Sequence, residues 1–414
     1  MKGNFQEALA RAPDHKELPF PPEEFAVRLE RLRTAMASAG IDLVFLSSPE
    51  SIFYITGFQG HWYQAQSGRD FPPTSGVAVH VDHPEFIHFE TPSEAMLTAI
   101  GAVSKDVRIF PIEARRDGLP FILSELRAAG WLKGTAGMEL YSYRQNPIVS
   151  ARYVEGFKSE GLSVIDATDL LRSLRRRKSE AEMDALREAA RIADAGMNAA
   201  RDNIAPGRTE LEVFGDIVSA MTKAGGEFSG IIPPVMSGFR TNCLHPLSSR
   251  KVIEKNERVN VDLCGVFKRY HCNVARSFWT GTPPDDVYRM HEASIGAYQI
   301  LENMLTPGTK VRPILEALKA YYEQAGIWEE CYWSGGYEFG FAFPPDWVGA
   351  FIYDLSMTGP DETFAPMNAL NYECNFFGPD ASGISATIDT FFVLECEVTF
   401  PCAAPRELQL ISAT

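Results

Sequence analysis

The second half of the sequence carries one helix-bounding pattern twice. Each copy begins with a Pro-Gly pair and ends at a glycine: Pro206 lies 19 residues before Gly225, and Pro307 lies 19 residues before Gly326. Both landmarks are displaced by 101 residues between the copies (307−206 and 326−225). Such a repeated interval predicts a domain built from two similar halves that share one sheet, related by a pseudo-two-fold repeat. The seam between the halves is a natural place for a binding site.

The first half predicts a separate α/β domain. Apolar residues at helical spacing over residues 22–40 predict a helix, and the apolar run Ile41–Leu46 predicts a strand after it. A long helix starts near Ser179 with the pattern of a capping box. We therefore expect an α/β (α+β) fold whose domains cover residues 1–168 and 169–414. Further strands of the first domain are predicted at Gly76–His80, Phe86–Phe89, Val107–Phe110, Ala136–Glu139 and Leu162–Asp166.

Charge and composition exclude several classes of protein. The 414 residues carry 39 Lys+Arg against 54 Asp+Glu, a net charge of −15, and this acidic balance repels nucleic acid and anionic membranes. No apolar run approaches the roughly 18 residues of a membrane span, and residues 1–20 lack the apolar segment of a secretory signal. The seven cysteines form no CxxC pair, which is typical of reduced thiols. We expect a cytoplasmic protein without nucleic-acid or membrane partners.

Three stretches of the second half hold polar groups inside apolar segments. The first contains His245. In the second, Asp262 interrupts an apolar strand, and the chain after Gly265 returns through Asn273, which predicts a hairpin with two polar side chains facing one cavity. The third contains Glu373. A charge in an apolar strand is costly unless it has a partner or a ligand, so His245, Asp262 and Glu373 are the candidate catalytic residues.

These stretches resemble the creatinase and aminopeptidase P superfamily, whose fold is called the pita-bread fold. The likeness covers nearly the whole chain. The resemblance implies an N-terminal creatinase-type α/β domain and a C-terminal pita-bread domain, and because relatives are typically dimers we expect a homodimer. The motifs that carry it outside the three stretches are Arg28-Leu29, Gly40-Ile-Asp42, Tyr54-Ile-Thr-Gly57-Phe and Lys178-Ser-Glu-Ala-Glu182.

The resemblance to the peptidases of this superfamily implies a site for two metal ions with five ligands: Asp, Asp, His, Glu and Glu. In this sequence those five positions are Asp262, Asn273, Tyr337, Glu373 and either Thr387 or Ile388. No histidine follows His291. One Asp and one Glu are a poor cage for two divalent cations. We therefore expect no metal and no other cofactor.

The pattern is similar instead to the metal-independent branch, which includes creatinase and the ectoine hydrolases. Creatinase-like enzymes keep a His eight residues after a Ser-Gly pair, and Ser237 precedes His245 by that spacing (245−237). Ala275 stands where creatinase-like proteins carry a Glu, which argues against creatine as the substrate. The likeness to ectoine hydrolases is carried by Arg269-Tyr-His-Cys272, Gly336-Tyr337 with Gly340, and Pro344-Pro-Asp-Trp347.

The residue types suit hydrolysis of an amidine or guanidinium carbon. That reaction needs an attacking water or carboxylate, an acid or base that titrates near neutrality, and anions that hold the cation. Our hypothesis is that Asp262 and Glu373 grip the nitrogens of a small cationic or zwitterionic substrate, and that Asp262 attacks the carbon or positions water. His245 then carries the proton to the leaving nitrogen. The residues predicted to bind the substrate are Trp62, reaching the pocket of a neighbouring subunit, Tyr270, His271, Asn273, Tyr337, Phe339 and Trp347.

The first interpretation is a metal-independent hydrolase of a non-peptide C–N bond in a small cyclic amidine or guanidino acid, opening an ectoine-like ring to an N-acetyl diamino acid. Three alternatives stay open: a metal-dependent Xaa-Pro dipeptidase, a lyase of a small sulfonium metabolite, and an inactive pita-bread binding module. Asp262 and Glu373 have a structural alternative to a catalytic role, namely a buried ion pair with Arg240 or Arg276. For His271, hydrogen-bonded packing is an equal alternative to substrate binding.

Overall fold

The computed structural model describes residues 3–13, 15–60, 75–142 and 147–412. Two compact units divide after Leu174, and the expected boundary after residue 168 stays a prediction. In the first unit the described helices are α1 (Gly3–Ala10), α2 (Pro22–Ala39), α3 (Pro49–Thr56), α4 (Ala95–Gly101), α5 (Leu119–Ala128), α6 (Pro147–Ser159) and α7 (Thr168–Arg176), which runs past the division. Its strands are β1 (Leu43–Leu46), β2 (Gly76–His80), β3 (Ile87–Glu90), β4 (Asp106–Ile109), β5 (Thr135–Met138) and β6 (Ser163–Asp166).

The first unit is an α/β layer, as the sequence predicts. Within the described ranges its six strands have the order β4-β3-β2-β1-β5-β6, with β1 antiparallel to β2 and parallel to β5. The helix predicted before β1 is confirmed and ends at Gly40, whose φ of +65° is the left-handed conformation that glycine tolerates best. Leu43 and Phe45 of β1 pack with Ile122 and Phe157 of the flanking helices.

The second unit contains the larger sheet. Its helices are α8 (Glu180–Asn203), α9 (Glu210–Lys223), α10 (Asp285–Ile295), α11 (Ala297–Met304) and α12 (Val311–Gln324). Its strands are β7 (Val235–Ser237), β8 (Arg258–Phe267), β9 (Tyr270–Thr280), β10 (Cys331–Phe339), β11 (Ile352–Asp354), β12 (Asn368–Phe377), β13 (Ile384–Val393), β14 (Val398–Thr399) and β15 (Gln409–Ile411). Ser179 caps α8 with the predicted capping box. No helix within the described ranges is long and apolar enough to cross a membrane.

The internal repeat is confirmed. Helix α12 is displaced from α9 by 101 residues at both ends (311−210 and 324−223). The glycine before each helix has a positive φ and donates its N–H to a distant carbonyl: Gly207 to Ile253 (2.9 Å) and Gly308 to Phe364 (2.8 Å). The same local chemistry therefore places both helices against the shared sheet.

One face of the sheet of the second unit packs its side chains against helices, and the opposite face carries Asp262 and Glu373. Its strand order is β11-β10-β12-β13-β9-β8-β7 in the described part of the chain, with β14 beside β13 and β15 beside β9. Side chains alternate between the faces. Val261 and Leu263 pack with α8 and α9, and Tyr372 and Cys374 pack with α11 and α12. The opposite side, which we call the site face, carries the intervening residues.

The predicted hairpin is confirmed, and its turn lies beyond Gly265. Strands β8 and β9 pair without a break to Phe267 and Tyr270. The turn is Lys268–Arg269, with both residues at positive φ, and the carboxylate of Glu227 accepts both of their backbone N–H groups at 2.9 Å. Gly265 lies inside β8, where helix α8 comes so close that a Cβ would overlap the carbonyl oxygen of Ala189.

We predict that Gly265→Ala destabilises the protein by about 1–3 kcal/mol, because the added methyl group forces β8 away from the backbone of α8. Gly215→Ala is the matched control, since a Cβ at this exposed position of α9 meets nothing within 4 Å and alanine favours a helix. Urea denaturation of both variants measures the difference. Equal stability of the two variants would contradict close packing of α8 on β8.

Candidate active site

Asp262 and Glu373 lie in one row that crosses the sheet. Asp262 pairs with Ala275, Ala275 with Ile388, and Ile388 with Glu373. Directly paired residues of neighbouring strands point to the same face, so the four side chains share the site face. We call these four residues the central row. Asp262 and Glu373 are at the ends of this row. Their backbones are three interstrand spacings apart, about 14 Å.

Two asparagines join the carboxyl groups through their side chains. Asn273 Nδ2 donates to Asp262 Oδ1 at 2.7 Å, and Asn371 Nδ2 donates to Glu373 Oε1 at 2.8 Å. The amides approach each other as well, with Asn371 Nδ2 at 3.5 Å from Asn273 Oδ1. Asn375 adds a longer contact to Glu373 at 3.4 Å. The chain Asp262–Asn273–Asn371–Glu373, which we call the amide bridge, therefore couples the two acids.

Backbone groups fix the direction of both amides. Asn273 Nδ2 also donates to the carbonyl oxygen of Leu263 at 3.0 Å, and a carbonyl oxygen only accepts. Asn371 Oδ1 accepts the backbone N–H of Tyr337 at 2.7 Å, which only donates. Each amide must therefore turn its N–H groups, not its oxygen, toward the carboxyl group beside it.

Burial gives the two acids different proton affinities. Burial raises the pKa of Asp262 from 3.8 to about 6, against the hydrogen bond from Asn273. Burial, followed by the negative charge of Asp262, raises the pKa of Glu373 from 4.5 to about 8, against hydrogen bonds from Tyr337, Asn371 and Asn375. By surface, Asp262 is only half-buried, whereas Glu373 is 7% exposed. Near neutral pH the pair therefore holds one proton, mainly on Glu373.

Aromatic side chains border the Glu373 end of the row. Trp347 Nε1 donates to the hydroxyl oxygen of Tyr337 at 3.2 Å, and the ring of Phe339 lies 5.2 Å from that of Tyr337. Burial, then the nearby charges of Glu373 and Asp262, raise the pKa of Tyr337 well above its usual range, so its hydroxyl stays protonated. Three predicted substrate-binding residues, Tyr337, Phe339 and Trp347, thus form one aromatic group, which reaches Glu373 through Tyr337.

Two other predicted binding residues are engaged in packing. Tyr270 is buried and donates its hydroxyl proton to Glu182 Oε1 at 2.6 Å. His271 uses both ring nitrogens: Nδ1 donates to the carbonyl oxygen of Arg269 at 2.8 Å, and Nε2 accepts the N–H of Gly230 at 2.9 Å. Burial lowers the pKa of His271 well below its usual range. The alternative of hydrogen-bonded packing thus describes the contacts of His271.

In the described part of the chain, His245 makes no hydrogen bond with the amide bridge. It is exposed in the loop after the short 3-10 turn Gly238–Asn242, and the hydrogen bonds of Asp262 and Glu373 do not include it. Its catalytic role stays a prediction. Trp62 lies outside the described residues.

Glu210 holds the loop that carries His245. Its buried carboxylate accepts the backbone N–H of Ser237 at 2.8 Å and that of Ser249 at 2.9 Å. It also accepts both serine hydroxyl groups and Arg240 Nε. The first and last residues of the segment 237–249 are therefore tied to the first turn of α9. Sequence reasoning missed Glu210, because nothing local marks it as a loop anchor.

The alternative ion pairs for the two acids are wrong. Arg240 pairs with Glu210 at 3.2 Å, and Arg276 pairs with Asp389 at 2.6 Å on the helix side of the sheet. Sequence reasoning also missed Asn371. Its signal was available, because a residue two positions before Glu373 in a strand must share its face.

Comparison with known proteins agrees with this architecture. The creatinase/prolidase N-terminal domain model matches residues 28–177, and the metallopeptidase family M24 model matches residues 184–388. Ectoine hydrolase of Halomonas elongata is 26% identical over 367 residues, 84% of this chain and 87% of that protein. Xaa-Pro dipeptidase of Pyrococcus furiosus is 24% identical over 287 residues, 69% of this chain and 74% of that protein. The solved Xaa-Pro dipeptidase from Bacillus anthracis superposes with a TM-score of 0.77 at 22% identity, covering 94% of this chain and 100% of that one, which establishes the fold alone.

Membership of a metallopeptidase family implies a metal site, but the groups around Asp262 and Glu373 do not fit a metal ion. A divalent cation needs lone pairs from several carboxylates or imidazoles. Here Asn273 and Asn371 present N–H groups to the two acids, and Ile388 stands between those acids in the central row. Among the described residues no group of three or more His, Cys, Asp and Glu is arranged to hold a metal ion. Of the two positions considered for the last Glu, Ile388 is on the site face and Thr387 is not.

We predict that Glu373 makes stability fall with rising pH. Its raised pKa means that the folded protein binds more protons than the unfolded chain, so its stabilising contribution is complete below about pH 4.5 and is lost as the pH rises through about 8. Relative to Glu373→Gln, the unfolding free energy of the wild type should drop by about 1.4 kcal/mol per unit of pKa shift across this window. Urea denaturation at pH 5 and pH 9 measures it. Glu316→Gln, exposed on α12, is the control, and a constant gap between wild type and Glu373→Gln would contradict a buried protonated Glu373.

Proposed function

The chain belongs to the creatinase and aminopeptidase P superfamily, and on that premise we propose that it is a metal-independent hydrolase of a non-peptide C–N bond in a small cyclic amidine or guanidino acid. The likeness to ectoine hydrolase supports this direction. The likeness to Xaa-Pro dipeptidase supports hydrolysis in general. The choice between the two depends on the chemistry of the central row.

The observation that carries the proposal is the unequal pair of acids. Between about pH 6 and pH 8, Asp262 is ionised while Glu373 keeps its proton. Paired acids with separated pKa values are a recurrent source of one base and one acid at the same pH. The pair carries a single negative charge, which matches one amidinium or guanidinium cation.

The reaction follows from these two groups. The cation lies between Asp262 and Glu373, with its N–H groups toward their oxygens. Asp262 accepts a proton from water as the water oxygen bonds to the central carbon, and the protonated Glu373 donates to the ring nitrogen as the C–N bond breaks. The products are an amide and a free amine, so one water is consumed and no redox partner is needed. Direct attack by Asp262 on the carbon is the covalent variant of the same step.

Tyr337 and Trp347 form one edge of the site, next to Glu373. Their hydrogen bond fixes the hydroxyl of Tyr337 near the acid, and aromatic faces hold a flat cation well. In this proposal Glu373, rather than the exposed His245, supplies the proton to the leaving nitrogen. Trp62 is proposed to complete the pocket from a neighbouring subunit of a homodimer. A cytoplasmic location is proposed as well, because the seven cysteines are free thiols.

We predict that Asp262→Asn and Glu373→Gln each lower kcat on ectoine or a related cyclic amidine by about 10²–10⁴-fold, since each removes one proton-transfer group. The wild-type kcat/KM, which reports the groups of the free enzyme, should follow a bell-shaped pH profile, falling below about pH 6 as Asp262 is protonated and above about pH 8 as Glu373 ionises. Steady-state kinetics from pH 5 to 9 measure both effects.

His245→Ala is the control that separates the two proton donors. We expect it to keep turnover within about tenfold of the wild type. A loss as large as that of Glu373→Gln would return the role to His245. Absence of hydrolysis of ectoine, creatine and related amidines by the wild type would favour the inactive binding module or the sulfonium lyase.

We predict a metal content near zero per chain, because the amide bridge presents N–H groups where a metal ion needs lone pairs. Elemental mass spectrometry is performed after exposure to Mn, Zn and Fe and removal of loosely bound ions, and activity is assayed with and without a chelator. About two tightly bound ions per chain, together with hydrolysis of proline dipeptides, would establish the Xaa-Pro dipeptidase alternative instead.

A further inference from the structure

The middle of the central row is apolar. Ala275 and Ile388 separate the two acids, and they are 2% and 5% exposed. Neither belongs to the apolar cores that pack on the helices, because both point to the site face with Asp262 and Glu373. We call Ala275 and Ile388 the floor of the site.

The neighbouring rows are polar, so the floor is a local apolar strip. On one side Asn273 and Asn371 form the amide bridge. On the other side Ser277 donates to Asn260 Oδ1 at 2.8 Å, and Asn375 contacts Glu373. A ligand that spans the two acids therefore has hydrogen-bonding groups at its ends and along its edges, but none beneath its centre.

Two cations of the same shape differ in the group that they would place on this floor. A C-alkyl amidinium has two nitrogens and one carbon substituent on its central carbon, whereas a guanidinium has three nitrogens. When two nitrogens face the acids, the third substituent is the group left for the floor. An alkyl group buries its surface there, but an N–H₂ group loses its hydrogen bonds to water without replacement.

We propose that Ile388, with Ala275, is the specificity-determining floor that selects C-alkyl amidinium substrates and rejects guanidinium compounds. The inference rests on the proposed function, because it assumes that the cation lies between Asp262 and Glu373. It narrows the substrate to a cyclic amidine whose amidine carbon carries a small alkyl group.

The test compares acetamidinium with guanidinium, which have the same charge and nearly the same shape. Isothermal titration calorimetry at pH 7 measures the binding of each chloride salt to the full-length wild-type protein. We expect acetamidinium to bind about 10–100-fold more tightly, the range over which an apolar pocket rejects a polar isostere. Because the assay measures binding alone, it does not depend on turnover.

Two variants assign the preference to the floor. Ile388→Asn places an acceptor beneath the cation, so the ratio of the two dissociation constants should fall to about one or invert. Ile388→Val is the matched control, because it keeps the apolar surface, and the preference should persist within about threefold.

The outcomes separate this inference from the proposed function. Equal binding of both cations to the wild type, or a ratio that Ile388→Asn leaves unchanged, would overturn the floor while leaving a cation site between the acids. Failure of both cations to bind the wild type would overturn the cation site itself, and the inference with it.

Discussion

The seam between the two hairpins of the large sheet is the contact on which the site depends. Strands β9 and β13 are paired there through Ala275 with Ile388 and Val274 with Asp389. On the helix side, Arg276 donates to Asp389 at 2.6 Å, and Arg406 donates to the other oxygen of the same carboxylate. A one-residue slip would turn one hairpin over and move its site residues to the helix side. The buried ion pair opposes that slip, because the slip would separate Arg276 from Asp389 and leave both charges unpaired.

Proton sharing follows from this register. The seam brings two acids from different hairpins to one face, where burial favours their neutral forms and the charge of one disfavours the charge of the other. The asparagines between them donate hydrogen bonds but carry no charge, so they offset only part of the cost. One acid is left ionised and the other protonated. The ionised carboxylate and the protonated carboxyl group are thus products of one electrostatic arrangement rather than of two separate sites.

The fold of this protein and the side chains of its site face are separate features. Its architecture is that of solved Xaa-Pro dipeptidases, yet the central row of its site face holds two acids and an apolar floor, and the amide bridge joins those acids. The direction of the amides is fixed by Leu263 and Tyr337 through backbone hydrogen bonds, so it is built into the strands. On a shared scaffold, function depends on the side chains of the site and not on the fold alone.

The sequence by itself determined the two-unit α/β organisation, the repeated helices, the hairpin and the presence of Asp262 and Glu373 as charged residues inside apolar strands. These features are local: helix periodicity, capping groups, left-handed glycines and a charge inside an apolar strand are visible within a few residues. It did not show that the hairpin turn is Lys268–Arg269 or that Gly265 serves the close approach of α8. Only the tertiary structure decided which acid keeps the proton, that Asn371 joins Asn273, that His271 is engaged by the backbone, and that Ile388 lies between the acids. Those properties depend on register and burial between strands whose key residues are 111 positions apart (373−262), and no local pattern encodes them.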